Sequence, residues 1–471
     1  MPRSRVAFRP RRASHGAAKL RANAHRAWRG ETKLPATART EETISRISAS
    51  MRARGYMVPP SHLWSLRLPA VDRAGAPAYD SRVVSIVTRA MLLNAKPGVV
   101  LAAVALAAAA ILGVALPARF ASLAARENAI EVARALYAVN QSFADRGSIS
   151  VYDIDRGHSL IKVIRTVANV NDVKGVAASA ATGKLYVAYR TSSAGMIYCL
   201  DLSTDAILWN KAIDPDVDRL SIHPDGRLLY VPTFEGGAAG FINVLDAETG
   251  GLVRRVHFSN RSHDTLFPLS GPIFQETKAE DGSGRYLYLI DPKSYVVSRI
   301  GPYAGILGPY AVDGMSRHVV NNVTGLWGMQ VAEIATGRIV TAKVPDHPRG
   351  GSGLLHGIGW TPDEREVWHS SNPADPHVFI WDMAEPMAPR FRQRLALRSG
   401  EGSHWMTFSI TGDYAYVAPN KNSEAGTEIF DARTHGSVGL IGSSEDMLEI
   451  DFADGKISRV GDQFGIGRVV R

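Results

Sequence analysis

Histidine and aspartate recur at one point of a repeated pattern in this 471-residue chain. Asp218, His356 and His404 each stand eight residues before a predicted turn, at the start of a predicted strand. The corresponding turn residues are Gly226, Glu364 and Gly412. His263 and Asp264, in SHDTLF, occupy a similar level by a looser alignment. The spacing therefore predicts that Asp218, His263, Asp264, His356 and His404 form one ligand-binding rim.

These residue types could do two kinds of chemistry. Neutral imidazole and carboxylate groups ligate transition metals, and they also position polar ligands and exchange protons near neutral pH. We assign no catalytic residue, because no Ser/His/Asp set follows from the spacing and the sequence has no G-x-S-x-G elbow. The loop VPDHPRGGSG follows no strand–helix pattern, so it does not predict a phosphate loop.

Cysteine usage narrows the cofactor classes. The single cysteine, Cys199, lies in IYCLDL and not in a C-x-x-C-H motif, which excludes covalent c-type haem. One cysteine also excludes an intramolecular disulfide framework and a Cys-rich metal site. Cys199 falls in the apolar alternation of a strand, and we predict a buried, inert thiol. The cofactor stays unknown, with a metal at the rim as one option.

The elements that would position these residues come from an internal repeat. An alternating apolar strand ends in an acid seven times, at spacings of 48, 45, 45, 42, 49 and 49 residues. The acids are Asp153, Asp201, Asp246, Asp291, Glu333, Asp382 and Asp431. A turn and another strand follow, and a pair of strands precedes most of the acids, as in SIHPDGRLLYVPT. Each unit thus has four short strands, and we interpret the acids as acceptors of backbone N–H bonds in the following turn.

Four-stranded units of this length predict an all-β fold, a seven-bladed β-propeller over residues 136–471. Stacking the sheets around an axis buries both apolar faces of each sheet. The first unit lacks its innermost strand, and the strand from Met447 to Phe452 has no unit of its own. Pairing the two would close the ring, so truncation at Glu445 is expected to unfold the domain. Innermost strands line the central channel, which places the predicted rim there.

The repeats are similar to the YVTN repeat family of β-propellers, found in exported bacterial and archaeal surface proteins. LLYVPT after HPDG, with FINVLDAETG following, carries the resemblance. The stretch LLHGIGWTPDEREVWHSSN and the ending LEIDFADGKISRVGDQFGIGR resemble a mostly uncharacterised bacterial subgroup. The resemblance implies the fold and attaches no catalytic motif. The wider superfamily of YVTN and quinoprotein amine dehydrogenase-like propellers includes haem d1 domains and sugar lactonases, so the fold does not define a function.

A structural role for the rim residues stays open. In WD-type propellers a histidine near this point ties a loop to its blade by hydrogen bonds. The blades that carry Asp218, His356 and His404 are not all neighbours, so ring geometry also spreads these residues. The dipeptide of WD repeats appears once, at Trp381-Asp382, and we interpret Trp381 as blade core.

The basic excess of the chain belongs to its N-terminal part. The chain has 54 Lys+Arg and 45 Asp+Glu, a net charge of +9. Residues 1–90 hold 18 and 5 of these, which leaves 36 and 40, or a net charge of −4, for the rest. The charge therefore gives no reason to expect nucleic acid at the propeller. Residues 1–90 lack apolar periodicity, which predicts a disordered basic segment or a stretch upstream of a true start at Met91.

An uncharged apolar run covers residues 98–118. As a helix it would be roughly 30 Å long, enough to cross a bilayer. With a start at Met91, residues 91–124 form a signal peptide with a small-x-small cleavage site at Ser122-Leu123-Ala124. With a start at Met1, the same run is a single transmembrane anchor. Both alternatives place the propeller outside the cytoplasm, in a periplasmic or extracellular compartment.

The sequence thus predicts an extracytoplasmic, WD40-like propeller that acts as a binding or scaffold module. A protein partner or a small ligand would be held at the channel face, and we expect a monomer, tethered to the membrane if residues 98–118 are not cleaved. The alternative is an enzyme or enzyme subunit, either a lactonase-like hydrolase or a periplasmic oxidoreductase component. We favour binding without catalysis, and the sequence leaves the ligand and the partner unassigned.

Overall fold

The computed structural model describes residues 132–347, 355–371, 375–421, 423–465 and 467. The predicted basic segment, residues 1–90, and the apolar run at residues 98–118 lie outside these ranges. No helix in the described part of the chain has the length and apolar character needed to cross a bilayer. Two short 3-10 helices, Ile154–Arg156 and Ser283–Arg285, interrupt what is otherwise a β-structure.

The strands of the described residues form seven antiparallel sheets, which confirms the predicted seven-bladed propeller. We number the blades in chain order around the ring, and blade 1 contains the first and the last strand of the described chain. At every junction between neighbouring blades, one of the two inner strands of one blade contacts an inner strand of the next, and these contacts run around a closed ring back to blade 1. Six blades are meanders in which consecutive strands pair.

The strands of blades 1 to 3 have the following bounds. Blade 1 contains β1 (Val132–Val139), β2 (Ile149–Asp153) and β3 (Ser159–Ile164), with β28 (Asp446–Ala453) and β29 (Lys456–Val460). Blade 2 contains β4 (Asp172–Ser179), β5 (Lys184–Arg190), β6 (Gly195–Asp201) and β7 (Ile207–Ala212). Blade 3 contains β8 (Ser221–Ile222), β9 (Leu228–Pro232), β10 (Phe241–Asp246) and β11 (Leu252–His257).

The remaining blades follow the same order from the channel outward. Blade 4 contains β12 (Ser262–Leu266), β13 (Ile273–Thr277), β14 (Leu287–Ile290) and β15 (Val297–Ile300). Blade 5 contains β16 (Leu307–Val312), β17 (His318–Val323), β18 (Gly328–Glu333) and β19 (Ile339–Lys343). Blade 6 contains β20 (Leu355–Trp360), β21 (Glu366–Ser371), β22 (His377–Asp382) and β23 (Arg390–Ala396). Blade 7 contains β24 (Ser403–Phe408), β25 (Tyr414–Pro419), β26 (Thr427–Asp431) and β27 (Ser437–Ile441).

The acids that revealed the repeat stabilise the turns after the third strands. Asp201 Oδ1 accepts hydrogen bonds from the backbone N–H groups of Ser203 and Thr204, both at 2.9 Å. Asp431 Oδ1 accepts the equivalent bonds from Arg433 and Thr434, at 3.0 and 2.8 Å. These bonds favour the charged carboxylate and lower the pKa of each aspartate. The predicted structural role of these two acids is therefore confirmed.

Blade 1 closes the ring as predicted from the missing innermost strand of the first unit and the extra strand near the C-terminus. β28 pairs along the whole of β1, from Val132 opposite Ala453 to Val139 opposite Asp446, and it takes the inner position that the first unit lacks. β1 begins at Val132, ahead of the predicted boundary at residue 136. β29 was not predicted; it pairs with the other edge of β28 as a fifth strand of the blade.

The chain after β29 crosses the inner strands of several blades. Buried Gln463 accepts a hydrogen bond from the Val176 backbone N–H at 2.9 Å and donates to the Leu220 carbonyl at 3.0 Å. Gly465 accepts a bond from the Trp360 backbone N–H at 2.8 Å. These contacts join blades 2, 3 and 6 through the channel, so the segment 461–465 plugs the channel.

The apolar faces between blades form the core. Cys199 is 0% exposed, and burial raises the pKa of its thiol to about 11, which agrees with the predicted inert cysteine. Trp381 is also buried, between Val331 of blade 5 and its own blade, as the blade-core interpretation requires.

Candidate functional site

The innermost strands of all the blades start at the same level of the ring. The residue at each start can be found by counting back from a residue in the turn that follows the strand. The turn after each innermost strand contains a residue with positive φ, and in blade 1 this turn joins β28 to β29. These residues are Gly183, Gly226, Gly271, Ser316, Glu364, Gly412 and Asp454 in blades 2 to 7 and 1. Counting back eight residues, or nine in blade 2 where the turn is one residue longer, gives the equivalent positions. They are Lys174, Asp218, His263, Gly308, His356, His404 and Asp446. Six of the seven blades therefore present an ionisable residue at this level.

A cavity of about 90 Å³ lies inside this ring. Five of the equivalent residues line it, together with side chains from neighbouring loops and strands. The lining residues are Val173, Lys174, Asp218, Arg219, Glu235, His263, His356, His404, Lys421 and Glu445. A second cavity of about 330 Å³ shares Glu235, His356 and His404 with the first and extends past Gly308 of blade 5. Gly308 has no side chain, and a Cβ there would lie 2.9 Å from Asn322 Cβ, so this position of the ring takes glycine.

His263 forms one wall of the first cavity and contacts two buried carboxylates. Its Nδ1–H donates to Glu276 Oε1 at 2.6 Å and lies 3.1 Å from Asp264 Oδ1. Burial alone would lower the pKa of His263, but the carboxylates of Asp264, Asp218 and Glu235 raise it to about 10. The His263 charge in turn lowers the pKa of Glu235 to about 2. His263 is therefore an imidazolium in this arrangement at neutral pH.

His356 and His404 stack on each other on the opposite wall. Their ring centroids are 3.9 Å apart and the ring planes differ by 25°. His356 Nδ1 must donate, because its partner at 2.7 Å is the His404 carbonyl oxygen, so Nε2 is left as the acceptor. Burial, followed by the His404 ring and Lys278, holds the pKa of His356 well below its usual value. His404 Nδ1 is hydrogen-bonded to Glu445 Oε2.

Arg219 covers the inner end of the cavity. Its guanidinium lies 3.6 Å from the centroid of the Trp405 ring and bonds Asp446 Oδ1 at 2.8 Å. It also lies 3.5 Å from Glu445 Oε2. Trp405 Nε1 donates to the carbonyl of Gln463 at 2.7 Å, which connects this layer to the segment that plugs the channel. The cavity therefore opens towards the loop face and is closed below.

The remaining polar groups of the cavity are held in pairs. Lys174 Nζ lies 3.2 Å from Asp172 Oδ2 and 3.8 Å from Asp218 Oδ1. Lys421 Nζ lies 2.7 Å from the other oxygen of Asp172. Asp218 Oδ2 accepts a bond from the Glu235 backbone N–H at 3.3 Å, and burial raises the pKa of Asp218. Fixed donors and acceptors thus alternate around the wall.

The structure brings together four of the five residues predicted for the rim. Asp218, His263, His356 and His404 line the first cavity, whereas Asp264 lies behind His263 and is 0% exposed. The sequence analysis gave a metal as one option for the whole rim. In the described ranges, the group that could hold a metal ion contains two of the rim residues, His263 and Asp264, together with Glu276, which the sequence analysis did not name.

Sequence reasoning missed more than half of the lining. The missed polar residues are Lys174, Arg219, Glu235, Lys421 and Glu445. Lys174 could have been found by allowing a turn one residue longer in blade 2. Gly271 is the turn residue of blade 4 and stands eight residues after His263. Counting back from Gly271 would therefore have aligned His263 with Asp218, His356 and His404. The other missed residues carry no repeat signal.

The closed ring, the plugged channel and the charged cavity at one mouth define a seven-bladed β-propeller with a polar cavity at one end of its channel. The fold is similar to that of the periplasmic gluconolactonase PpgL of Pseudomonas aeruginosa, with 16% identity over 70% of this chain and 98% of that chain and a TM-score of 0.52. A Lactobacillus plantarum protein is similar with 12% identity, coverage of 70% and 99%, and a TM-score of 0.52. At such identities the likeness shows the fold alone.

No protein-family model matches the chain. No curated protein matches it either. The resemblance to the YVTN family therefore stays a prediction, while the β-propeller fold is established by the sheet topology and the structural neighbours.

Proposed function

We propose that this protein is an extracytoplasmic β-propeller of the YVTN type that binds a small, uncharged, hydroxyl-rich ligand at the channel mouth. A monosaccharide or sugar lactone represents this class of ligand. The observation that carries the proposal is the convergence of polar side chains from blades 2, 3, 4, 6 and 7 on one cavity with a closed inner end. Concave sites with a few convergent polar groups are the usual form of small-ligand sites.

The charge of the lining favours an uncharged ligand. Lys174, Arg219 and Lys421 face the cavity together with Asp218, Glu235 and Glu445, and most of these groups already contact an opposite charge. An ionic ligand would have to separate buried pairs and leave one partner uncompensated, which is costly. Hydroxyl groups both donate and accept hydrogen bonds, so they can bridge neighbouring donors and acceptors without separating them.

The size and lining of the second cavity favour a ligand with an apolar face. Leu307, Pro309, Val323 and Leu355 contribute apolar surface beside the hydroxyl and amide groups of Thr324 and Asn322. At about 330 Å³ this cavity lies within the range of small-ligand sites, whereas the first cavity, about 90 Å³, admits a few polar groups only. We therefore place the ring of the ligand past Gly308 and its hydroxyl groups against the rim.

Binding can be tested by calorimetric titration of the full chain with matched ligands. The panel contains neutral sugars and sugar lactones, with the corresponding sugar acids and amino sugars as charged counterparts. We expect binding of a neutral member, and at least a ten-fold loss of affinity in His356→Gln and Asp218→Asn. Asp382→Asn, at a strand end outside both cavities, is the control and keeps wild-type affinity. Preference for charged members, or equal affinity in all variants, would contradict the proposal.

Hydrolysis of a small ester or lactone is a second candidate, and one observation favours it. His356 donates through Nδ1 and therefore presents an unprotonated Nε2, the form that can activate a water molecule. The fold likeness to a protein described as a gluconolactonase fits this candidate without establishing it. Acid release from a lactone, followed with a pH indicator, separates the two functions: wild-type release that His356→Gln abolishes supports hydrolysis, and binding without release supports a binding protein.

The compartment is a separate proposal that rests on the apolar run at residues 98–118. Fractionation of cells that express the full chain, followed by N-terminal sequencing, tests it. A mature end near residue 125 in the soluble extracytoplasmic fraction supports a signal peptide, and an uncleaved chain in the membrane fraction supports an anchor. Recovery of the propeller from the cytoplasm would contradict both.

A further inference from the structure

We propose that His263, Asp264 and Glu276 bind a divalent transition-metal ion, of the class of Zn²⁺ or Mn²⁺, at the wall of blade 4. One potential ligand atom from each of the three side chains lies within 4.8 Å of the others. The residues are 5%, 0% and 0% exposed, so the group lies inside the protein rather than on an acidic surface. This site shares His263 with the ligand cavity but does not depend on which ligand that cavity binds.

The local backbone explains why three side chains from two strands converge. Consecutive residues of a regular strand point to opposite faces, which would separate His263 from Asp264. The pairing of β12 with β13 shifts register between Ser262 and Thr265, and this irregularity includes both residues. Such a bulge redirects side chains. Glu276 stands beside Thr277, which pairs with Ser262, and so faces the bulge from β13.

The distances in the group suit neighbouring ligands of one ion. His263 Nδ1 lies 2.6 Å from Glu276 Oε1 and 3.1 Å from Asp264 Oδ1. Metal–nitrogen and metal–oxygen bonds of about 2.0 to 2.2 Å place adjacent ligand atoms roughly 3 Å apart. An ion between the three side chains would take the place of the His263 Nδ1 proton, which is released to solvent on binding, and small rotations of the two carboxylates would complete the site.

Three buried carboxylate oxygens point to a missing partner. In the described part of the chain, neither oxygen of Asp264 has a hydrogen-bond partner, and Glu276 Oε2 has none either. Buried polar atoms without a partner are uncommon in folded proteins and costly, most of all on a carboxylate. An ion bound by both carboxylates would satisfy these oxygens and balance two negative charges at once.

Two cations lie nearby and leave the unpartnered oxygens available. Lys278 Nζ lies 3.0 Å from Glu276 Oε1 and also donates to the Leu307 carbonyl at 3.1 Å. Arg219 Nε lies 3.8 Å from Asp264 Oδ1 and bonds other acids more closely. Lys278 thus contacts Glu276 Oε1, and Arg219 approaches Asp264 Oδ1 at a distance too long for a hydrogen bond. The opposing hypothesis is that these cations and the His263 proton balance the carboxylates without a metal.

The ligand types and the position of His263 define the class of ion and its route. An imidazole nitrogen with carboxylate oxygens suits Zn²⁺, Mn²⁺ and related ions better than Ca²⁺ or Mg²⁺, which prefer oxygen alone. His263 also lines the first cavity, which provides a path from solvent. A metal at this wall would hold the His263 ring at the edge of the ligand cavity.

Metal uptake by the chelator-treated full chain tests the site. Zn²⁺ and Mn²⁺ are titrated separately by calorimetry, and bound metal is counted by elemental analysis after desalting. Wild type should bind one equivalent of at least one of the two ions. Asp264→Asn and Glu276→Gln should bind at least ten-fold more weakly. Asp382→Asn is the control, because it removes a carboxylate at a strand end outside the group and outside both cavities, and it should keep wild-type uptake.

Co²⁺ substitution of the wild-type protein gives a reading that does not depend on the variants. One equivalent of Co²⁺ held by nitrogen and oxygen ligands produces visible d–d bands, which we expect to be lost on addition of Zn²⁺. No uptake of any of the three ions by wild type, or equal uptake by all the variants, would overturn the proposal. Sugar binding by metal-free protein tests the proposed function separately, so failure of one can be distinguished from failure of the other.

Discussion

Truncation after Glu445 is the sharpest test of how the ring closes. This deletion removes β28, β29 and the segment that plugs the channel. Five apolar side chains of the deleted region are almost fully buried, namely Met447, Leu448, Ile450, Val460 and Phe464. At about 1.5 to 3 kcal/mol for each buried side chain, the loss is about 8 to 15 kcal/mol. Folded domains have total stabilities of about 5 to 15 kcal/mol, so the truncated chain should not fold.

A shorter deletion provides the matched control. Ending the chain at Gly455 keeps β28 paired with β1 and removes Val460 and Phe464, a loss of about 3 to 6 kcal/mol. Thermal unfolding followed by circular dichroism should show no cooperative transition for the first truncation and a lowered midpoint for the second. The reasoning is refuted if the chain that ends at Glu445 unfolds cooperatively at the temperature of the full chain.

Two further predictions concern buried charge. Arg219→Leu leaves Asp446 and Glu445 without their guanidinium partner and should lower the free energy of unfolding, measured in urea, by about 3 to 5 kcal/mol. Arg255→Leu breaks an exposed pair and should lower it by less than about 1 kcal/mol. Equal losses in the two variants would contradict the network at the cavity floor. Burial, followed by the nearby Arg134 charge, lowers the pKa of His158 from its usual 6.5 to about 4. Because the folded state binds this proton more weakly than the unfolded state, the contribution of His158 to stability is complete above pH 6.5 and is lost as the pH falls towards 4. His158→Gln should therefore flatten the pH dependence of the free energy of unfolding between pH 6.5 and 4, and an unchanged slope would show that this histidine does not stay neutral in the core.

Local patterns in the sequence predict most of the fold. Asp201 and Asp431 end their strands in turns that need a carboxylate, so the acids recur with every blade. The orphan strand from Met447 to Phe452 predicts closure because an unpaired inner edge would otherwise remain. His356 and His404 can also be aligned from the sequence. The number of residues between the start of an innermost strand and the turn that follows it is set within one hairpin, so it is the same in both blades.

The composition of the cavity depends on contacts that no local pattern encodes. Glu235 and Lys421 come from loops after second strands, and Glu445 comes from the entry to the last inner strand. Asp264 carries the same residue type as Asp218 but stands one residue later in its blade, at the level of Arg219, and it lies behind His263 instead of on the rim. Arg219 is an ordinary arginine in the sequence, and it becomes the floor of the site because Trp405 and Asp446 approach it from two other blades.

The amino-acid sequence alone determined the number of blades, the strand that closes the ring and the level at which ionisable groups face the channel. The number of blades and the level of the ionisable groups follow from hydrogen-bonding and burial requirements within about 45 residues, which is why both are visible as a repeat. The closing strand is visible because it has no unit of its own, although it pairs with β1 at the other end of the described chain. The tertiary structure decided which side chains meet at the mouth, which carboxylates lack partners and where the channel is closed. Those features arise when segments more than two hundred residues apart are brought together by the curvature of the ring, as when Gln463 bonds the backbone of Val176 and Leu220.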